Sequence, residues 1–224
     1  MKKLIITRHG ESLWNNLNKF TGWSNIDLTN YGRKQAFKTS LILKKNNVIP
    51  NTILTSKLIR SINTAEIIRG NIDVNLDLIS SWRLNERNYG MLDGVNREEA
   101  YKKYGKTNIE KIRKNFFLMP YIIDKKIIHD QGVLINDDNN TIIGESNNMV
   151  YKRVLPYWDN VIKLKLLEND TVLIVSHKNT LRCIMKIIED LNYENFKDTD
   201  IKNGELIIYR FNENLKLINK QYLY

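Results

Sequence analysis

Thr171-Val172-Leu173-Ile174-Val175-Ser176 is an unbroken, largely β-branched apolar run, the clearest buried strand in the chain. Leu4-Ile5-Ile6-Thr7 and Ile53-Leu54-Thr55 are runs of the same kind. Segments with helical spacing separate them. Thr29 is placed to cap a helix through about Lys45, and Ser56 to open one running to Arg69, with Gly70 as a left-handed stop. A short strand is expected near Val74 to Leu76, and helices from Arg97 to Gly105 and around Arg113 and Lys114. Ser146 can cap an amphipathic helix to about Leu167, kinked at Pro156, and another helix begins near Thr180. Leu206 to Phe211 and Leu215 to Leu223 close the chain as strands around an Asn212-Glu213-Asn214 turn. This alternation predicts an α/β fold with three layers, α/β/α, in which a mostly parallel central sheet is covered by helices on both faces. A single domain over residues 1–224 is expected, with an irregular, lid-like loop around 120–144 that contains a solvated His129.

The ends of the strands carry the chemistry. Gly10 frees the backbone to turn after Arg8-His9, so His9 stands at the carboxyl end of the first strand, where open α/β sheets bind ligands. Arg8 supplies a planar fork of donors, and Ser12 and Asn15 add neutral ones, a set suited to a phosphoryl group beside a nucleophilic imidazole. His177 repeats the placement after the strand ending at Ser176, and the helix behind it aims its N-terminal donors at the same place. Arg60, on the first turns of its helix, can point there too. Glu86 lies between cations in Trp82-Arg83-Leu84-Asn85-Glu86-Arg87-Asn88-Tyr89-Gly90, an arrangement that suits acid–base work but, taken alone, reads first as a surface ion-pair cluster. Trp14 and Trp23 are read as covers for the edge of the core.

Charge narrows the ligands. Lys+Arg total 35 against 25 Asp+Glu, a formal charge of +10, which favours polyanionic partners. The excess is spread along the chain without an aromatic-interleaved basic block, so polyanionic metabolites explain it as well as nucleic acid does. There is no zinc-ligand spacing, Walker loop or dinucleotide fingerprint, and no metal is expected. The single Cys183, at helical spacing among Leu181, Ile184, Met185 and Ile188, is read as a packing residue in a reducing compartment. With no signal peptide and no apolar run of membrane-spanning length, a cytoplasmic protein without membrane association is the expectation.

Five blocks in order make a more specific pattern: Arg8-His9-Gly10-Glu11-Ser12-x-Trp14-Asn15, Phe20-Thr21-Gly22-Trp23, Trp82 to Gly90, Val154-Leu155-Pro156-Tyr157-Trp158, and Ser176-His177-x-Asn179-x-Leu181-Arg182. They resemble the cofactor-dependent phosphoglycerate mutases of the histidine phosphatase superfamily. The resemblance implies that His9 is the nucleophile that becomes phosphohistidine and Glu86 the acid–base residue. Arg8, Arg60 and His177 would surround the transferring phosphoryl. Ser12, Asn15, Thr21, Gly22, Tyr89 and Asn179 would be further pocket positions, and Arg97, Arg113 and Lys114 would hold the carboxylate and distal phosphate of the substrate. It also implies interconversion of 3-phosphoglycerate and 2-phosphoglycerate in glycolysis and gluconeogenesis, primed by 2,3-bisphosphoglycerate without metal, and a homodimer. The expected partners are therefore small phosphorylated metabolites and not nucleic acid.

The chain departs from the family at several points. Lys178 stands where the family has glycine, Arg97 where it has lysine, Arg113-Lys114 where it has two arginines, and Asn88 where it has histidine. Ile201-Lys202-Asn203-Gly204 replaces a Pro-Thr-Gly turn, the family's proline-rich, histidine-containing lid is unrecognisable between Pro120 and Thr141, and the sequence ends at Tyr224 without the family's closing tail. Easier entry of water would make the same site a phosphatase acting on bisphosphoglycerate or another phosphorylated metabolite. A site impaired by Lys178 would leave a phosphometabolite-binding protein.

Overall fold

The computed structural model describes residues 1–120 and 144–224, so the expected lid and His129 lie outside the described residues. Its six-stranded sheet has the order β3-β2-β4-β1-β5-β6, built from β1 (Lys2–Arg8), β2 (Thr52–Thr55), β3 (Asp77–Ser80), β4 (Thr171–Ser176), β5 (Leu206–Phe211) and β6 (Leu217–Leu223). β3, β2, β4 and β1 pair in parallel, and β5 and β6 add an antiparallel edge. The four runs that make the parallel part are the ones whose successors are long crossovers, as parallel pairing requires.

Alternate side chains of the central strands feed two cores. On one face Leu4, Ile6, Val172 and Ile174 pack against Val150 and Val154 of α6 (Asn147–Tyr157), Leu166 of α7 (Lys163–Glu168) and Leu181 and Ile184 of α8 (Lys178–Glu189). On the other, Ile5, Leu173 and Val175 meet Leu43 of α2 (Asn30–Lys45) and Ala65 and Ile68 of α3 (Ile59–Ile72). A sheet buried on both faces leaves its strand ends as the open place for a ligand.

Several local expectations hold. The Thr29 hydroxyl accepts from Gly32 N–H at the start of α2, and the Ser146 hydroxyl accepts from Met149 N–H at the start of α6. α4 (Arg97–Tyr104) stops at Gly105, which has φ 82°, before α5 (Lys106–Lys114). Cys183 is fully buried in the first core, and burial pushes its thiol up to about 12, so it stays a packing group.

Others are corrected. Ser56 does not open α3: the helix begins three residues later, and the Ser56 hydroxyl is engaged by Leu58 N–H and by His177. α3 also runs through Gly70 to Ile72, because nothing there requires a left-handed turn. The third strand lies at Asp77–Ser80, beyond Leu76. The helical run that Ser146 caps does reach Glu168, but it passes from α6 through a π-helical turn at Trp158–Ile162 into α7. The proline supplies no N–H to the ladder, and the wider turn follows it directly.

Candidate active site

β1 and β4 are neighbours in register, with Arg8 opposite Ser176, so the next residue of each strand projects from adjacent strand ends. Those residues are His9 and His177. Their ring centroids lie 4.9 Å apart, and both residues are buried. His9 Nδ1 is 2.6 Å from Gly10 O. A carbonyl can only accept, so Nδ1 carries the proton and Nε2 keeps its lone pair. Burial, reinforced by the charges of Arg60 and then Arg8, holds the imidazole well below its usual range and therefore neutral. Burial does the same to His177, followed by Arg60, His9 and Arg8.

Close backbone approach fixes the loop after His9. A Cβ on Gly10 would lie 2.2 Å from Gly32 O, so the loop lies directly on the first turn of α2. α1 (Leu13–Asn16) follows, opened by a reciprocal cap in which Ser12 Oγ accepts from Asn15 N–H and Asn15 Oδ1 from Ser12 N–H. Asn203, from the turn before β5, donates through Nδ2 to His9 O at 2.7 Å.

Arg60 is almost fully buried, and its two terminal nitrogens each donate at 2.8 Å, Nη1 to Ser24 O and Nη2 to Gly22 O. Burial lowers it to about 10, which still leaves a full positive charge at neutral pH. Glu86 is buried rather than part of a surface cluster: Arg83 and Arg87 turn away from its carboxylate to the backbone carbonyls of Arg153, and of Glu145, Ile112 and Leu118. One carboxylate oxygen, Oε1, instead takes Arg87 N–H at 2.8 Å and both Asn179 N–H and Asn179 Nδ2 at 3.2 Å. Asn179 Nδ2 also donates to the Tyr89 hydroxyl at 2.9 Å, which joins the Glu86 loop to the start of α8.

The cleft over these groups has a volume of about 250 Å³. Of the residues expected from sequence, Arg8, His9, Asn15, Thr21, Gly22, Arg60, Glu86, Tyr89, Arg97, Arg113, Lys114 and Asn179 line it. Ser12 and His177 do not: Ser12 is spent on the α1 cap, and His177 stands behind His9, held by Ser56 Oγ 2.8 Å from its Nε2. Lys19, Glu110, Lys197, Asp198, Thr199 and Asp200 line the cleft without having been singled out, as do Phe20 and Arg182, which figure only within the sequence blocks. The signal for those two was their place in the blocks, with no role attached to either. In all, nine basic side chains and four acidic ones face it among the described residues.

Lys178 adopts ordinary helical backbone as the first residue of α8, so a Cβ is tolerated where it stands. Its ammonium pairs with Asp200 at 2.6 Å. Arg113 pairs with Glu110 at 2.6 Å, and Lys114, 71% exposed, lies 3.9 Å from the same residue.

A second tier supports the Glu86 loop. Arg153 on α6 donates through Nη2 to the carbonyls of Asn85 and Glu86, at 2.9 and 3.0 Å, and its Nε meets Glu145 Oε1 at 2.6 Å. Glu145 Oε2 accepts from Asn88 N–H, and the indole N–H of Trp23 donates to Glu86 O. Asp93 accepts from Trp23 N–H and Tyr89 N–H, both at 3.2 Å, and so ties the two loops together.

Neutral imidazoles at adjoining strand ends, ringed by buried arginines and a fixed carboxylate, define a site for transferring phosphoryl groups through histidine. The chain belongs to the histidine phosphatase superfamily, whose branch 1 model matches residues 4–116 and 125–222. Within it, the protein is similar along its whole length to proteins named 2,3-bisphosphoglycerate-dependent phosphoglycerate mutase. One from Buchnera aphidicola subsp. Baizongia pistaciae is 39% identical, the match covering 99% of this chain and 97% of that one. Another, from Latilactobacillus sakei and named 2,3-bisphosphoglycerate-dependent phosphoglycerate mutase 2, is 34% identical with both chains fully covered. Among solved structures the fold matches a mycobacterial glucosyl-3-phosphoglycerate phosphatase with a TM-score of 0.75, at 18% identity over 99% of this chain and 96% of that one.

Proposed function

We propose that the protein is a 2,3-bisphosphoglycerate-dependent phosphoglycerate mutase that interconverts 3-phosphoglycerate and 2-phosphoglycerate through phospho-His9. The observation that carries this reading is the His9 imidazole: neutral, with Nδ1–H pinned to Gly10 O, and so offering Nε2 as nucleophile in a cationic cleft. The full-length likeness to named mutases points the same way.

The residues present suit the polyanion. Arg8 Nε, Arg60 Nε, Arg97 Nε, Thr21 Oγ1 and His177 Nδ1 are buried polar atoms without a hydrogen-bond partner. Four of these belong to residues that line the cleft and the fifth stands directly behind His9, and unmet groups so gathered imply a ligand. 2,3-Bisphosphoglycerate would be held by Arg8 and Arg60 near His9 and by Arg97, Arg113 and Lys114 farther out, and when bound it supplies the phosphoryl group that primes the enzyme.

The chain's own residues then divide the work. His9 Nε2 attacks phosphorus in line with the departing substrate oxygen, and the Gly10 carbonyl stabilises the ring as it gains positive charge. Arg8 and Arg60 neutralise the equatorial oxygens, Arg60 with its orientation preset by Gly22 O and Ser24 O. The Glu86 carboxylate takes the proton of the hydroxyl that accepts the phosphoryl from His9 and returns it to the oxygen that next leaves. Ser56 Oγ, which already accepts from Leu58 N–H, can direct its proton to His177 Nε2. His177 Nδ1 then carries a proton and is a donor for a phosphoryl oxygen.

Incubation with 2,3-bisphosphoglycerate followed by intact mass measurement tests this. Acid-labile phosphate on His9 that passes to added 3-phosphoglycerate is the expected result. Its release as inorganic phosphate would make the protein a phosphatase of the same superfamily, and the absence of phospho-His9 would remove the mechanism.

A further inference from the structure

Lys178 reaches the cleft from the first position of α8, directly after His177, and its ammonium sits 2.6 Å from Asp200 Oδ1. Both residues line the cleft, and both stay in contact with water: the side chain of Lys178 keeps 33% of its surface and that of Asp200 58%. A pair that exposed is readily exchanged for another partner. Asp200 has a second cation in its field. Burial works most strongly against the protonated form of Arg8, whose Nε has no hydrogen-bond partner, while the charge of Glu86 and then that of Asp200 favour it. Burial also disfavours the Lys178 ammonium, which Asp200 supports and Arg8 opposes. Three cations, Arg8, Lys178 and Arg182, and two carboxylates, Glu86 and Asp200, therefore act on one another on the wall beside the strand ends, and the carboxylates supply one negative charge fewer than the cations can use.

We propose that Lys178 is a specificity-determining residue for the transferring phosphoryl group and that Asp200 is the counter-ion it exchanges for that group. This rests on the phosphoryl-transfer reading of the cleft. A phosphoryl dianion beside Arg8 brings two negative charges to a place where Asp200 brings one, and it does so on the covered side of the wall. The ammonium turns to the phosphoryl oxygens, with which its charge-assisted bonds are less screened. Asp200, repelled by the same dianion, is left on its solvent side. Residues at the two ends of one ion pair thus act on anion binding with opposite signs.

Titration calorimetry of the full chain with inorganic phosphate, at constant ionic strength, measures this. Lys178→Ala is expected to weaken binding about tenfold and Asp200→Asn to tighten it about threefold, with Lys178→Arg staying within about threefold of wild type. Unchanged affinity in folded Lys178→Ala overturns the proposal. So does weaker binding in Asp200→Asn, the result for a pair that serves only to shape the wall. If Lys178→Ala does not fold, Lys178→Gln takes its place with the same two outcomes. Phospho-His9 in the wild-type chain is scored separately by intact mass, so its absence counts against the mutase reading while the phosphate titration still decides the role of Lys178.

Discussion

The rings of His9 and His177 are tilted by 56° with centroids 4.9 Å apart, and both imidazoles are kept neutral by burial first and by neighbouring charge second. A histidine with a lowered folded-state pKa stabilises the fold above the ordinary value of 6.5, and that contribution is lost as pH falls through the folded value, because the unfolded chain takes up the proton first. Thermal melts of the wild type should therefore drop as pH is lowered below 6.5, and more steeply than those of His9→Ala or His177→Ala. Parallel pH curves for all three proteins would contradict the burial of neutral rings.

Removing the nucleophile gives a sharper test. His9→Ala should lower kcat by at least about 10⁴-fold in a coupled mutase assay while leaving a cooperative melt. Retained turnover in a purified, folded variant would sink the phosphohistidine mechanism.

Asp93 predicts a pH dependence of the opposite sign. Burial raises its carboxyl from 3.8 to about 7, against the two backbone N–H groups and Arg60, which favour the ionised form. The folded state therefore holds the proton more tightly, and stability is lost as pH rises toward about 7, by at most about 1.4 kcal/mol per pH unit. Asp93→Asn should remove that slope between pH 5 and 7 in chemical denaturation. Gly22 is the steric partner of this contact: at φ 45°, a Cβ there would lie 2.0 Å from Asp93 Oδ1. Gly22→Ala should destabilise the protein by about 1–3 kcal/mol and raise KM, since Gly22 O also holds Arg60.

Arg153 and Glu145 form a buried pair whose remaining bonds hold the Glu86 loop. Arg153→Ala leaves the Glu145 carboxylate buried without its partner and should cost about 3–5 kcal/mol by urea denaturation. The double variant Arg153→Met/Glu145→Leu should recover part of that stability but not kcat, because the carbonyls of Asn85 and Glu86 remain unsupported. Full recovery of kcat would show that the pair does not position Glu86.

The elements legible in the sequence were those governed by short-range patterning. β1 and β4 announce themselves as apolar runs, each followed at once by a histidine, and Thr29 and Ser146 act as the local caps their positions suggest. Ser56 misleads because a serine before a helix has the same local pattern whether its hydroxyl caps the helix or reaches His177, 121 residues away. Gly70 misleads because its freedom to adopt positive φ goes unused inside α3. The Arg153–Glu145 pair and the Asp93 tie had no signature at all. Their partners are backbone groups brought close only when α6 packs on the sheet and the two loops fold together. The same holds for Glu110, whose hold on Arg113 depends on one helical turn of α5 facing the cleft.

The rung that pairs Arg8 with Ser176 has an evolutionary consequence. The separation of the two histidines is inherited from the spacing of hydrogen-bonded strands, which no loop insertion or change of composition can alter without dismantling the sheet. The rim is under no such rule. Lys178 and Asp200 stand on a helix end and a connecting turn, whose side chains the strand spacing does not fix. Substitution there can alter how an anion is held while the separation of His9 and His177 stays as the strands set it.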